Sequence, residues 1–463
     1  MVTLSINDFK NEKIFFSGIG GVSMSSLAMI LKSNGFSVCG SDRASSHITD
    51  KLENSGIKVY LKQEAANISE IGLVVRTAAV SDDNPEILRA RELGIPVMER
   101  CTLLGQVMKN YKERINIAGT HGKTTTTSMM SLILMYAGVE PTIMVGGDFD
   151  KIGGNLLIGE KDYFVCEACE YVESFLEFFP TSSIILNIEA DHLDYYRDIE
   201  HIKSAFSKFI LRTDNIIMLN GDDANACDII KATKDKNIIL FGIENGKYKA
   251  KNIIYNKSTT EYDLYCNNVF IGKITLKVAG EHSVYNSLAV SGLALELGID
   301  ISHIKSALFD FTGAKRRMEL VGSLRDGILL RDGISIYDDY AHHPTEIQTT
   351  ISSIRQKNPK RLVVLFQPHT YTRTRALKQE FIDVLSKGID KLYILDIYAA
   401  REKNTGDIHS NDLVSEIEGA LYIKDLEDAA EIIKNELKDG DIFVTVGAGD
   451  VFKVGQSLLI NEQ

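Results

Sequence analysis

Short apolar runs recur along this chain. Each is closed by a glycine turn or a polar cluster and followed by a longer stretch of helical period. Residues 13–17 read as a buried strand, followed by an apolar-periodic helix through Leu31 and a second strand at 37–42. A strand at 72–77, a helix at 84–93, a short strand at 95–97 and a helix at 99–110 complete a first block, with a boundary near 111. In a second block, 111–320, strands are expected at 114–119, 163–167, 183–187, 215–220 and 237–241. Residues 249–278 alternate in strand fashion and read as a small antiparallel excursion turning at Asn267-Asn268. Helices are expected at 281–297 and 302–309. The third block, 321–463, is expected to carry strands at 334–338, 361–366, 391–395 and 441–446, alternating with helices. Such alternation predicts an α/β protein built on parallel sheets.

Two of the turns are more than punctuation. The strand at 114–119 runs into Gly119-Thr120-His121-Gly122-Lys123-Thr124-Thr125, then two more threonines and an apolar helix. Strand, glycine turn and helix N-terminus present free backbone N–H groups to an anion. Lys123 would put its charge on the β/γ-phosphates of a nucleotide, and the Thr124 hydroxyl would ligate Mg²⁺. The loop is shorter than the usual phosphate loop, since position 117 is Ile where a Gly would stand. Four successive β-branched threonines are poor helix starters unless their hydroxyls are used. The second turn, Gly18-Ile19-Gly20-Gly21-Val22-Ser23, is close to a dinucleotide fingerprint, with Ser23 in the third glycine position and Asp42 at the distance of a ribose contact. It fits a diphosphate-bearing ligand, NAD or a UDP-sugar.

Length and composition narrow the picture. A chain of 463 residues exceeds a single core, so two to four domains are expected. Hydrophobic residues at 44% and charged residues at 25% are ordinary for a soluble globular protein. A net charge of −12 without basic–aromatic runs argues against a nucleic-acid surface. No apolar run approaches the ~20 residues that span a bilayer, and residues 1–13 lack a secretory pattern. The six cysteines have no periodic spacing and fit free thiols in a reducing cytoplasm, with Cys166 and Cys169 read as small core residues.

Further polar clusters fall at expected strand ends. Glu167 closes 163–167, where a Mg²⁺ ligand is wanted beside a phosphate loop. Glu189, Asp191, His192 and Asp194 follow the strand at 183–187. Arg316 and Arg317 precede the third block; Asp338 to Glu346 follow its first strong strand, and His369 and Arg373 follow the strand at 361–366. Together they put cations and carboxylates on a second sheet edge that could close over a nucleotide.

These motifs, in this order and over almost the whole chain, resemble those of the Mur ligase family of peptidoglycan synthesis. The resemblance rests on the 119–125 loop, on Asn187 to Asp194, on Asp339-Tyr340-Ala341-His342-His343-Pro344-Thr345-Glu346 and on Phe366-Gln367-Pro368-His369 with Tyr371-Thr372-Arg373-Thr374. It implies three domains: a Rossmann-like UDP-substrate domain (1–110), a central P-loop ATPase domain with a mostly parallel sheet plus a small antiparallel sheet (111–320), and a C-terminal Rossmann-like amino-acid domain (321–463). It implies ATP and Mg²⁺, with UDP-N-acetylmuramate and L-alanine as substrates. Gly18, Gly20, Gly21, Ser23, Ser41 and Asp42 would hold the uridine diphosphate. Gly119, Thr120, His121, Gly122, Lys123, Thr124 and Thr125 would hold the ATP phosphates, and His282 and Asn286 the adenine. Arg317 and Asp339 would reach the nucleotide from the third domain. Thr124 with Glu167 would hold one Mg²⁺, and Glu167 with His192 a second. His342, His369 and Arg373 would face the amino acid and an acyl phosphate. Ser283 stands where relatives carry Asn, and Cys169, Tyr171 and Val172 interrupt a segment that is usually acidic. Lys208 is the nearby candidate where some members carry a carbamylated lysine. A relative with another acceptor, such as a murein-tripeptide-recycling ligase, shares the fold and the loop. A nucleotide-binding protein without turnover, or an NAD-dependent oxidoreductase, leaves several clusters unexplained. The expected protein is cytoplasmic, a monomer or weak homodimer.

Overall fold

The apolar runs become the interior strands of three sheets, one in each block. The computed structural model describes residues 5–257, 259–324, 333–404 and 406–460. The first sheet has five parallel strands. Its central strand, Lys13–Ser17, lies between Ser37–Ser41 and Leu73–Arg76, with Lys58–Tyr60 and Val97–Glu99 at the edges. The order reverses beside Lys13–Ser17, so the glycine turn after that strand opens at the crevice where such sheets bind ligands.

The second sheet has ten strands and is centred on Glu113–Ala118, flanked by Tyr163–Glu167 and Ser182–Ile185, both parallel to it. The phosphate loop, Glu167 and the segment 187–194 therefore leave three neighbouring strands at the same edge. The antiparallel strands Tyr248–Tyr255, Thr260–Cys266 and Val269–Leu276 continue this sheet. They join it through the pairs Phe241↔Tyr248 and Gly242↔Lys249. Their turn sits at Asn267 and Asn268, both at positive φ (48° and 64°), as a tight hairpin turn requires. A hairpin that the periodicity does not announce, Thr142–Phe149 with Gly154–Leu157, forms the other edge. Gly146 and Gly147 interrupt its first strand, and glycines inside an apolar run read as a loop.

The third sheet runs Glu319–Leu324, Ile334–Asp339, Asp441–Val446, Arg361–Phe366, Lys391–Ile394, Leu421–Tyr422. The first of these is antiparallel to its neighbour, and it straddles the boundary expected at 320/321. The rest are parallel. Asp339 and the turn after Phe366 leave this sheet on either side of the final strand. Both faces of the parallel strands are covered: Leu362, Val363, Val364, Leu365 and Phe366 are fully buried. The helix Lys123–Tyr136 behind the phosphate loop is buried nearly all round, through Met129, Met130, Leu132, Ile133 and Leu134, and so holds the loop rigidly.

Candidate functional site

The phosphate loop turns on glycines that no other residue could replace without strain. Gly122 sits at φ +85°, and a Cβ there would lie 2.8 Å from Asn286 Oδ1. That close approach brings the loop against the helix Glu281–Glu296, which carries His282 and Asn286. The loop helix starts at Lys123. Thr126 and Thr127 fall in its buried interior, and their hydroxyls make no hydrogen bond among the described residues. The idea that all four threonine hydroxyls serve the loop is therefore corrected, because one helical turn carries the last two into the core.

Lys123 is oriented by acceptors on three sides. Its Nζ donates to Gly119 O at 2.5 Å, to Thr120 O at 3.0 Å and to both Glu170 oxygens at 3.2 and 3.0 Å. Burial pulls the Lys123 pKa down, but the Glu170 carboxylate outweighs it and the net shift is upward. The ammonium stays charged where a phosphate is expected. Glu170 is a residue the sequence reading left without a role; Tyr196 donates to its carbonyl, and His192 Nε2 lies 3.7 Å from its Oε1. Its signal was present as the carboxylate three residues beyond Glu167, hidden by the unfamiliar residues around it.

Glu167 accepts the Gly146 N–H at 2.6 Å. A Cβ on Gly146 would lie 2.8 Å from that carboxylate, and one on Gly147 would lie 3.8 Å from Thr124 Cγ2. Two side-chain-free residues thus lie against the Glu167 carboxylate and the Thr124 side chain. This hard oxygen-donor set under a glycine cradle fits Mg²⁺. The expected pairing of Glu167 with His192 is not what the contacts display. His192 stands by Glu170 and 3.8 Å from Asp191, and its ring packs on Tyr171 at 4.7 Å. Cys166 is buried, with its Sγ accepting from Asn116, but Cys169 is exposed, so the core reading holds for the first alone. Lys208 pairs with Glu173 at 2.9 Å on a half-exposed helix face.

The third domain meets this edge through a polar seam. Arg373 donates from Nε and Nη2 to Asp191 Oδ1 at 3.1 and 2.9 Å. Burial would raise the Asp191 pKa, yet Arg373 leads a set of cations that hold it well below the usual carboxylate range. Thr345 Oγ1 donates to Glu189 Oε2 at 2.6 Å, and His343 Nε2 is 3.2 Å from Ala190 O. His121 Nδ1 lies 3.2 Å from Glu346 Oε1, and Arg317 Nη1 lies 3.6 Å from the same oxygen. Burial disfavours a charged His121, but Glu189 and Glu346 on its two ring nitrogens bring it up to about 9. Glu346 also accepts the His342 and His343 N–H groups at 3.0 and 3.4 Å, closing the start of the helix Pro344–Gln356. His-Pro-x-Glu is the sequence trace of that cap: proline at the first helical position and glutamate at the third.

Two cavities flank the seam. One, of about 330 Å³, is lined by His121, Gly122, Thr125, His282, Asn286, Arg317, Asp339 and Glu346 among others. It gathers most of the residues expected to hold ATP. His282 is pushed down to about 4 by burial and so is neutral, with an Nδ1 that makes no hydrogen bond among the described residues. That atom is available to a base. Burial raises Asp339 to about 6, and its carboxylate accepts from Ala341 N, Met318 N and Thr350 Oγ1. The other cavity, of about 500 Å³, is lined by Tyr171, Asp191, His192, His369, Arg373 and Arg401 among others. There Arg373 Nη1 is 3.2 Å from His369 Nδ1, and the His369 ring stacks on Tyr398. His342, 5.6 Å from His369 by ring centroids, and His369 itself are each brought down to about 4, burial first, and are neutral imidazoles.

The first domain's turn is held differently from the sequence expectation. Gly20 N donates to Asp42 Oδ2 at 2.8 Å, so Asp42 shapes the loop. Ser41 is buried and its hydroxyl donates to Glu86 Oε2 at 2.8 Å. A strand-end serine alternates inward by register. Gly18 N bonds to Ser41 O and Gly21 N to Gly18 O, while Gly21 caps the helix Val22–Ser33. Ser23 Oγ accepts from Arg100 at 3.0 Å, which brings a cation to this turn that the sequence reading did not single out.

Family models match three successive stretches: "Mur ligase family, catalytic domain" over 13–112, "Mur ligase middle domain" over 117–294 and "Mur ligase, glutamate ligase domain" over 316–449. The UDP-N-acetylmuramate–L-alanine ligase of Acetivibrio thermocellus is 47% identical, covering 99% of this chain and 98% of that protein. That of Clostridium novyi is 45% identical over 98% and 99%. Among solved structures, the UDP-N-acetylmuramate-alanine ligase of Thermotoga maritima superposes with a TM-score of 0.81 at 30% identity, covering 98% and 99% of the two chains. A murein peptide ligase from Psychrobacter arcticus gives 0.71 at 25% identity over 97% and 98%.

Proposed function

The chain belongs to the Mur ligase family, and from that premise we propose that it joins L-alanine to the carboxylate of UDP-N-acetylmuramate, driven by ATP. The observation that carries the proposal is the seam. Phosphate loop, strand-end carboxylates and the His369–Arg373 pair converge on one edge, with a cavity lined by the expected nucleotide residues on one side and a cavity of mixed charge, lined by His369, Arg373 and Asp191, on the other. Relatives at 43–47% identity over nearly their full length carry this activity in their names, which supports L-alanine over a peptide acceptor.

The reaction must bring a carboxylate against a triphosphate, two anions that repel. Lys123 screens that repulsion at the γ-phosphate, exchanging its contact with Glu170 for phosphate oxygens. The muramate carboxylate then attacks the γ-phosphorus and displaces ADP, giving an acyl phosphate. The free amine of L-alanine attacks that carbonyl, and phosphate departs from the tetrahedral adduct. Arg373 and the His369 Nε2–H bind the amino acid's carboxylate, and His342, whose Nδ1–H faces the Tyr340 carbonyl, accepts on Nε2 the proton the amine sheds. Arg317 and Asp339 position the nucleotide from the third domain. Thr124 and Glu167 would hold Mg²⁺, which supplies charge neutralisation on the phosphates when bound. Gly18, Gly20 and Gly21, with Asp42 shaping the turn and Arg100 beside Ser23, would hold the uridine diphosphate.

We infer domain limits near 1–110, 111–315 and 316–463; the strand Glu319–Leu324 in the third sheet and a family match that begins at 316 support moving the last boundary back from the expected 320/321, which puts Arg317 in the third domain. We also infer a monomer or weak homodimer. We infer a cytoplasmic location from the use of ATP and a nucleotide-linked sugar; no described helix is long and apolar enough to cross a membrane. The test is phosphate release from ATP with UDP-N-acetylmuramate and single acceptors. Release that requires L-alanine and weakens with glycine or L-serine is expected. Release only with a tripeptide would reassign the acceptor, and none with any acceptor would sink the ligase reading.

A further inference from the structure

His121, Glu189 and His343 bring one ligand atom each to a common point, all within 4.8 Å of one another. His121 Nε2 is 3.4 Å from Glu189 Oε2, and His343 Nδ1 is 3.9 Å from the same oxygen. Four-coordinate zinc with bonds of about 2.0–2.1 Å spaces its ligands about 3.3–3.5 Å apart. One edge of the triangle is already at that spacing, the second, at 3.9 Å, needs a contraction of about half an ångström, and the third, within 4.8 Å, needs at most about 1.5 Å. The orientation of both rings supports ligation. His343 Nε2 faces the Ala190 carbonyl at 3.2 Å, which places the proton there and leaves the Nδ1 lone pair facing Glu189. His121 Nδ1 faces Glu346 at 3.2 Å, which fixes a proton on that side. Its Nε2 is buried and makes no hydrogen bond among the described residues. A metal-bound histidine normally donates its other ring N–H to a carboxylate or a backbone carbonyl, and here one does each. A metal would replace the long 3.3 Å bond from Thr345 N to His343 Nδ1 and the His121–Glu189 pairing, and would share Glu189 Oε2 with the Thr345 hydroxyl.

We propose that His121, Glu189 and His343 form a site for a divalent transition-metal ion of the Zn²⁺ type, separate from the oxygen-donor Mg²⁺ position at Thr124 and Glu167. Two imidazoles and one carboxylate are a borderline-soft donor set that selects Zn²⁺ or Co²⁺ over Mg²⁺. His121 and Glu189 come from the central domain and His343 from the C-terminal domain. The ion therefore staples the seam shut beside the nucleotide cavity, with a coordination position left open. The same point is otherwise filled by the proton that pairs His121 with Glu189, so ion and proton are alternatives. The inference does not rest on the identity of the substrates.

The test uses the full chain stripped of metal, with no nucleotide present, titrated with Co²⁺ followed by visible absorbance and with Zn²⁺ by calorimetry. One equivalent is expected to bind, with the intense visible bands of low-coordinate Co²⁺. Glu189→Gln, which keeps an acceptor for Thr345, and His343→Asn, which keeps a helix cap, should each weaken binding at least about tenfold. His192→Gln should leave binding unchanged. Circular dichroism confirms that each variant folds. Absence of saturable binding in the wild type overturns the proposal. Binding indifferent to Glu189→Gln and His343→Asn, or lost with His192→Gln, overturns it as well.

Discussion

The charge state of His121 tests the electrostatics of the seam. Its pKa is raised from 6.5 to about 9. A group whose folded pKa lies above its unfolded value stabilises the folded form fully below 6.5 and loses that contribution as pH rises through about 9. The shift corresponds to about 3 kcal/mol. Linkage leaves roughly 2 kcal/mol of it at about pH 7.5 and almost none at about pH 9.5. Glu189 and Glu346 share the effect, but the Glu346 side chain is 12% exposed and that of Glu189 31%, so Glu346 is the less screened partner. Glu346→Gln keeps an acceptor for the His342 and His343 N–H groups, because glutamine also closes a capping box, while removing the charge. The ring Cε1–H of His121 is followed by NMR on histidine-labelled protein with chelator present, assigned among the ten histidines by His121→Gln. The wild type should titrate near 9 and Glu346→Gln about one to two units lower. If His121 titrates near 6.5 in the wild type, or stays near 9 without the Glu346 charge, the reasoning fails.

Lys123→Ala should lower kcat by about 10³-fold or more with unchanged far-UV circular dichroism; near-native turnover would show that the loop does not hold the reacting phosphate. Arg373→Lys replaces a fork that gives two hydrogen bonds to Asp191 with a single point charge. The KM for L-alanine should rise about tenfold or more while the KM for ATP changes little, and equal effects on both would place Arg373 outside the amino-acid cavity.

Sheet centres were legible because a parallel strand buried on both faces leaves an uninterrupted apolar run, as in 361–366. The hairpin beginning at Thr142–Phe149 was not, because glycines that make room over Glu167 and Thr124 break the very pattern that marks a strand. Motif spacing located the phosphate loop and the polar strand ends. It did not assign partners. Glu170 pairs with Lys123 across 47 positions and Asp191 with Arg373 across 182, and no local pattern encodes such distances. Ser41 likewise has a partner that no spacing encodes: its hydroxyl donates to the buried Glu86, 45 positions away.

The seam between the central and C-terminal domains has a further consequence. The contacts described across it, Asp191 with Arg373, Glu189 with Thr345, His121 with Glu346 and the Ala190 carbonyl with His343, join groups that water solvates well when they are apart. Parting them exposes ions rather than oil. Desolvating charges offsets most of what their pairing gains, so the two faces are nearly balanced between meeting each other and meeting solvent. A hinge closed by packed leucines would hold its products in. This one can release ADP, phosphate and a charged nucleotide-sugar on each cycle without leaving a sticky surface behind.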